Sequence, residues 1–137
     1  MIAVDSGFIY ALVDRRDAWH RRAVGLAGTA EQGWITTWPV LAEVCQLFLR
    51  RLSPRHADDL MSDVADGQLM VWDIPRDRYA RIPVLMQQYA SLPMDLADAS
   101  LVLLAEHLGH GRILSTDERD FNAYRWKRHE PFDNLLA

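Results

Sequence analysis

The sequence predicts an α/β protein, a three-layer α/β/α sandwich with a central parallel sheet, in one domain over residues 1–137. Three observations predict it. Short apolar runs alternate with segments of helical period along the chain, and strands separated by helices pair in parallel through crossovers. At 137 residues, 50% of them hydrophobic, the chain is sized for a single sizeable core. Three of the expected strands run into polar residues, Asp5, Thr37 and Asp117, at the carboxyl ends where such sheets collect ligands.

Each element has a local reason. Ile2-Ala3-Val4 is a short apolar run ending at Asp5, and Phe8, Ile9, Leu12 and Val13 follow at helical spacing. Trp19 to Leu26 reads as a second helix with Arg21 and Arg22 on its wet side. Trp34 to Thr37 is β-prone, and Pro39 suits the first turn of the helix after it, whose apolar face is Val40, Leu41, Val44, Cys45, Phe48 and Leu52. Glu43 lies at the margin of that face. Pro54 to Ala65 is a helix with Ala57, Leu60, Met61 and Val64 inward and Asp58, Asp59 and Asp63 outward. Leu69 to Ile74 is a strand, and Arg76 to Tyr89 is helical in pattern, with Pro83 as a kink. Arg112 to Thr116 is the last strand. The tail from Ala123 to Ala137 is expected to be irregular, with a basic cluster at Arg125, Lys127 and Arg128. Loops are expected at 28–33, 53–54 and 91–93.

The stretch Met94 to Gly109, MDLADASLVLLAEHLG, organises the rest. Read at a helical period, Asp95, Asp98, Val102 and Ala105 share one stripe, acidic at its start and apolar afterwards. An apolar continuation carries the two acids toward the interior or a cleft. A local reading is open as well: Asp95 as the helix N-cap with Asp98 as a first-turn acid facing the dipole.

Composition narrows the function. The formal net charge of −4 argues against a simple electrostatic nucleic-acid binder, so such a partner would need local positive charge or a bound cation. The lone Cys45 excludes an internal disulfide and is expected as a buried thiol. The apolar start of the chain is interrupted by Asp5, too short for a membrane span, and lacks the basic start of a secretory leader; a cytoplasmic protein is expected.

Asp5, Glu43, Asp98 and Asp117, with Asp95 beside them, would meet at one rim of a parallel sheet. Carboxylates held that close repel by several kcal/mol in a partly desolvated site, so a divalent cation between them is expected. Oxygen-only ligands favour Mg²⁺ or Mn²⁺. Asp5, Asp98 and Asp117 are the expected metal ligands, because strand ends and a helix start can face one point rigidly. Glu43 reaches farther, as a ligand through water or as the base that takes a proton from the attacking water. Ser6, Thr37 and Ser115 would hold metal-bound waters or steady the acids. Such a site suits metal-assisted phosphodiester hydrolysis.

The spaced set Val4-Asp5-Ser6, Trp38-Pro-Val-Leu-Ala-Glu43-Val, Met94-Asp-Leu-Ala-Asp98-Ala-Ser-Leu and Leu114-Ser-Thr-Asp117-Glu-Arg-Asp-Phe121 resembles the PIN domain, specifically the VapC-type toxin ribonucleases. The resemblance runs from the first residues to about Phe121. It implies an acidic quartet at Asp5, Glu43, Asp98 and Asp117, a hydroxyl at Ser115, and supporting acids at Asp95 and Asp120. It also implies Mg²⁺- or Mn²⁺-dependent cleavage of structured RNA such as tRNA or rRNA, homodimerisation, and inhibition by a cognate antitoxin. Arg15, Arg16 and Arg119 are the expected RNA contacts. Phe8, Leu12 and Trp38, with apolar positions near Arg50 and Tyr89, are candidates for a dimer or antitoxin surface.

Rival readings lose specific residues. A receiver-type phosphoacceptor would want an acidic pair after the first strand and a late lysine, yet Asp5 stands alone there and the only lysine is Lys127. An Asp-x-Asp phosphatase fails at Gly7. A non-catalytic RNA- or protein-binding module is the alternative, separated from a nuclease by metal dependence. No histidine is assigned a role, and Trp34 and Trp72 are expected in the core.

Overall fold

The computed structural model describes residues 1–28 and 31–137; two residues of the loop expected at 28–33 lie outside the described residues. Five strands form one parallel sheet: β1 (Ile2–Val4), β2 (Trp34–Thr37), β3 (Leu69–Trp72), β4 (Arg112–Leu114) and β7 (Asp133–Asn134). Their order is β3-β2-β1-β4-β7, with β1 at the centre. Helices α1 (Ser6–Val13), α2 (His20–Leu26), α3 (Trp38–Arg51), α4 (Pro54–Ala65), α5 (Arg81–Gln88), α6 (Leu96–Leu108) and α7 (Glu118–Ala123) flank it. This is the three-layer α/β/α sandwich with a central parallel sheet that the sequence leads one to expect. A short antiparallel ribbon, β5 (Arg125–Trp126) with β6 (Glu130–Pro131), stands outside the sheet.

The register fixes where the acids emerge. Ala3 lies beside Ile35 on one side and Ile113 on the other, so Asp5, Thr37 and the residues after Leu114 leave the sheet on one edge. α6 is the core's axis. Leu101, Val102, Leu103 and Leu104 are all buried, as are Ala97, Ala99, Ser100 and Ala105, so the helix is enclosed nearly all round rather than along the expected stripe. Burying each large aliphatic side chain contributes about 1.5–3 kcal/mol, which holds the N-terminal end of α6 firmly against the sheet edge.

Several expectations are corrected. The tail is not irregular: it makes the β5–β6 ribbon and then β7, which pairs with β4 at Arg112↔Asp133 and Ile113↔Asn134. Two-residue strands show no alternation, so pattern reading passes over them. Arg76 to Tyr89 is not one kinked helix but a 3₁₀ turn at Arg76–Arg78 followed by α5, whose first turn accommodates Pro83 where no N–H partner is lost. The last expected strand stops at Leu114, and Asp117 starts a helix of its own, α7. Met61 is 36% exposed instead of inward, and Cys45 is only partly buried. Phe8 is fully buried against Trp34 at a 5.2 Å ring separation, so it belongs to the core and to no docking surface. Trp38, at 48% exposure, stays available.

Candidate active site

Three of the expected acids are helix caps. Asp5 precedes α1 and its Oδ1 accepts the Phe8 N–H at 2.8 Å; Asp95 precedes α6 and accepts the Asp98 N–H at 2.8 Å; Asp117 precedes α7 and accepts the Asp120 N–H at 3.1 Å. Each cap satisfies an otherwise orphaned helix N–H, worth about 1 kcal/mol. Both readings of Asp95 and Asp98 are therefore realised together, because the capped end of α6 opens onto the cleft.

That cleft, about 340 Å³, is lined by six carboxylates: Asp5, Glu43, Asp95, Asp98, Asp117 and Asp120. Among the described residues, no lysine, arginine or histidine lines it. Ser6, Gly7, Thr116, Leu92 and Pro93 complete most of its floor and rim. Gly7 is required by close approach, since a Cβ there would sit 2.0 Å from the Thr116 Oγ1.

Hydroxyls hold the acids in place. The Ser115 hydroxyl donates to the Asp5 Oδ2 and accepts the Asp117 N–H at 2.9 Å, joining the two acids through one side chain. Ser6 donates to the Glu43 carboxylate. Thr37 does not face the cleft: its hydroxyl meets that of Ser100 at 2.6 Å, and Ser100 donates to the Ala97 carbonyl, so Thr37 buttresses α6 from behind.

The charges are uncomfortable. Burial raises Asp5 to about 6, and Asp117 and Glu43 nearby push the same way, against the Ser115 and Phe8 hydrogen bonds that lower it. Burial raises Asp98 to about 7, with Asp95, Asp117 and Asp120 adding repulsion. Asp117 is raised by burial and by the Asp120 carboxyl beside it.

Two contributors escaped sequence reading. Tyr124, fully buried, donates its hydroxyl to the Asp98 Oδ2 at 2.7 Å. Asn134, on β7, accepts the Ser115 N–H at 3.1 Å and donates to the Ser115 carbonyl at 2.9 Å, fixing the residue that bridges Asp5 and Asp117. Both come from the tail expected to be irregular. A polar residue on an apolar stretch, Asn134 before Leu135 and Leu136, was the available signal.

The expected RNA contacts divide. Arg119 stands by the cleft, its Nε 3.1 Å from the Asp120 carboxylate and its Nη2 donating to the Leu92 carbonyl at 3.0 Å. Arg15 and Arg16 follow the C-terminal end of α1, roughly 12 Å of helix away from Asp5, and Arg16 faces Asp14 at 3.8 Å. α1 thus carries Arg15 and Arg16 away from the outlet of β1 and from the cleft.

The donor chemistry fits a hard divalent cation, since every charged group lining the cleft is a carboxylate. Among the described residues, however, no three His, Cys, Asp or Glu side chains are grouped tightly enough to form a ready-made ligand set. Both Asp5 oxygens and one oxygen each of Asp95, Asp98 and Asp117 accept hydrogen bonds from the protein, three from the helices they cap and two, from Ser115 to Asp5 and from Tyr124 to Asp98, from distant parts of the chain.

No protein-family model matches the chain, and no curated protein sequence is significantly similar to it. Among solved structures, the crystal structure of Mycobacterium tuberculosis VapC20, described as a Sarcin-Ricin loop cleaving toxin, superposes with a TM-score of 0.79 at 21% identity. The match covers 87% of this chain and 92% of that one. Over most of its length this chain therefore shares the fold of that VapC toxin, the PIN-domain fold.

Proposed function

We propose that the chain is a Mg²⁺- or Mn²⁺-dependent endoribonuclease, the toxin of a toxin–antitoxin pair, hydrolysing phosphodiester bonds in structured RNA such as tRNA or rRNA. The observation that carries this reading is the cleft with six carboxylates, of which, among the described residues, only Asp120 is paired with a cation, Arg119 at the rim. Buried acids without cationic partners raise the free energy of the folded protein unless something positive joins them. Asp5, Asp98 and Asp117 would hold the ion, with Glu43 beside them. Bound there, a hard cation supplies positive charge at the phosphate oxygens and lowers the pKa of a coordinated water.

The chain's own residues do the rest. Ser115 keeps Asp5 and Asp117 in register, and Tyr124 orients Asp98. Glu43, steadied by Ser6, would contact the ion through water or take a proton from the attacking water. The same reading assigns the protein to the cytoplasm, as a homodimer restrained by a cognate antitoxin, with Trp38 and the partly buried Leu12 as apolar contact points.

The test is direct. Purified protein with Mg²⁺ or Mn²⁺ is expected to cleave a pool of tRNA and rRNA, and Asp5→Asn and Asp98→Asn to abolish cleavage while melting cooperatively. RNA left equally intact by the wild type and both variants, in either metal, would overturn the nuclease reading and favour a binding module.

A further inference from the structure

Away from the acidic cleft, two grooves share Arg81 and Arg128 and so form one surface. The larger, about 490 Å³, gathers Arg78, Arg81, Lys127 and Arg128 around Glu106; the smaller, about 250 Å³, adds Arg125 and His129. Five always-charged cations therefore line a continuous groove against one carboxylate, in a chain whose net charge is −4. Glu106 accepts from both Arg78 and Arg81, and the Arg125 Nη1 is taken by the carbonyls of Asn122, Ala123 and Tyr124. Among the described residues, the side chains of Lys127 and Arg128 make no ion pair and no hydrogen bond. Glu130, on the facing strand of the ribbon, is its only acid.

The turn that presents those two cations is strained. Lys127 and Arg128 have φ of 44° and 74°, a region that glycine and asparagine fill readily and long side chains do not, at about 1–2 kcal/mol each. The ribbon is nonetheless anchored. The Trp126 indole N–H donates to the Pro131 carbonyl at 3.1 Å and packs over Gly111, where a Cβ would sit 2.4 Å from it; the Arg125 N–H donates to the Tyr89 hydroxyl at 3.0 Å. A fixed turn that holds two free cations outward at a conformational penalty points to a polyanion.

We propose that the β5–β6 ribbon and the start of α5 form a phosphate-binding groove that grips the RNA backbone while the scissile bond lies in the acidic cleft. This rests on the nuclease reading for the identity of the polyanion. Gly109, at the groove, and Asp98, at the cleft, stand at opposite ends of α6, roughly 16 Å apart along its axis. Only a polymer reaches both. Arg125 directly follows Tyr124, which touches Asp98, so the two sites are joined by one rigid segment. Phosphate contacts of this kind position a substrate without reading its sequence.

Binding of fluorescently labelled bulk tRNA, followed by anisotropy in EDTA so that no metal-dependent cleavage intervenes, tests the groove. Lys127→Gln/Arg128→Gln is expected to weaken binding about tenfold near 100 mM salt and to flatten the salt dependence by about 1.5 in log–log slope, with an unchanged melting temperature. Arg15→Gln/Arg16→Gln, the same charge change elsewhere, is expected to alter affinity less than twofold, and Lys127→Arg to bind as the wild type. Equal losses from both pairs, no loss from the ribbon pair, or no tRNA binding by the wild type would overturn the proposal. So would polyglutamate binding that the ribbon pair abolishes while tRNA binding is unchanged, which assigns the groove to an acidic peptide. Groove-dependent binding without cleavage in Mg²⁺ or Mn²⁺ would instead sink the nuclease reading alone.

Discussion

The two ends of α6 treat a carboxylate in opposite ways. At the C-terminal end Glu106 receives two arginines, Arg78 and Arg81, and is neutralised by the fold itself. At the N-terminal end Asp98 receives only the Tyr124 hydroxyl, stands among further acids, and is raised to about 7. Among the described residues the chain has cations to spare near Glu106 and brings only Arg119 to the rim of the cleft, on Asp120. Its acids there are consequently a standing electrostatic demand, and the difference separates a carboxylate neutralised by the fold from one left strained, the kind of strain that functional sites carry.

Five experiments break or sharpen that contrast. The largest effect is on catalysis: Asp98→Asn is expected to lower metal-dependent RNA cleavage by roughly 10³-fold or more, whereas Glu106→Gln is expected to leave the rate per folded molecule at saturating RNA within about twofold, both measured on labelled RNA in gels. Stability reverses the ranking. Glu106→Gln leaves two guanidinium groups facing a neutral amide and is expected to lower stability by about 1–2 kcal/mol in urea titrations, since both arginines are partly exposed.

The third concerns pH in EDTA. Asp98 has a folded pKa of about 7 against an ordinary 3.8, so its contribution to stability is full below pH 3.8 and is lost as pH rises through 7. Asp98→Asn is expected to be more stable than the wild type at pH 8 by about 1–2 kcal/mol and to lose that advantage near pH 4. Melting curves across that window that stay parallel would show that the cleft exerts no such strain. Millimolar Mn²⁺ is expected to raise the wild-type melting temperature and to leave that of the variant nearly unchanged. The smallest effect is that of Tyr124→Phe, which removes the one hydrogen bond orienting Asp98 while keeping the ring packed on Phe121 and Tyr89; a several-fold fall in the cleavage rate is expected, read in single-turnover assays.

Legibility in the sequence follows the range of the interaction. β1, β2 and the helices with five or more periodic apolar positions were readable because burial of one face writes itself into spacing. α7 and the β5–β6 ribbon were not, because a six-residue helix and two-residue strands carry no period, and their positions depend on Asp117 capping and on Trp126 finding Gly111. In the cleft, Asp5, Glu43, Asp98 and Asp117 were readable from strand ends and motif spacing, and all four line it. Thr37 looked equivalent to Ser115, yet one faces Ser100 and the other Asp5, a choice made by which helix packs behind each strand.

By itself the sequence determined the alternation of strands and helices, the acids at the strand ends and the dominance of α6, since local spacing and burial dictate them. Only the tertiary structure decided that Tyr124 and Asn134 return from the tail to hold Asp98 and Ser115, that Arg15 and Arg16 are carried away from the cleft, and that Arg78 and Arg81 join Lys127 and Arg128 in one groove. The physical reason is that hydrogen bonds and charge clusters between distant segments depend on where the helices and the sheet place their ends, and no local pattern encodes that placement.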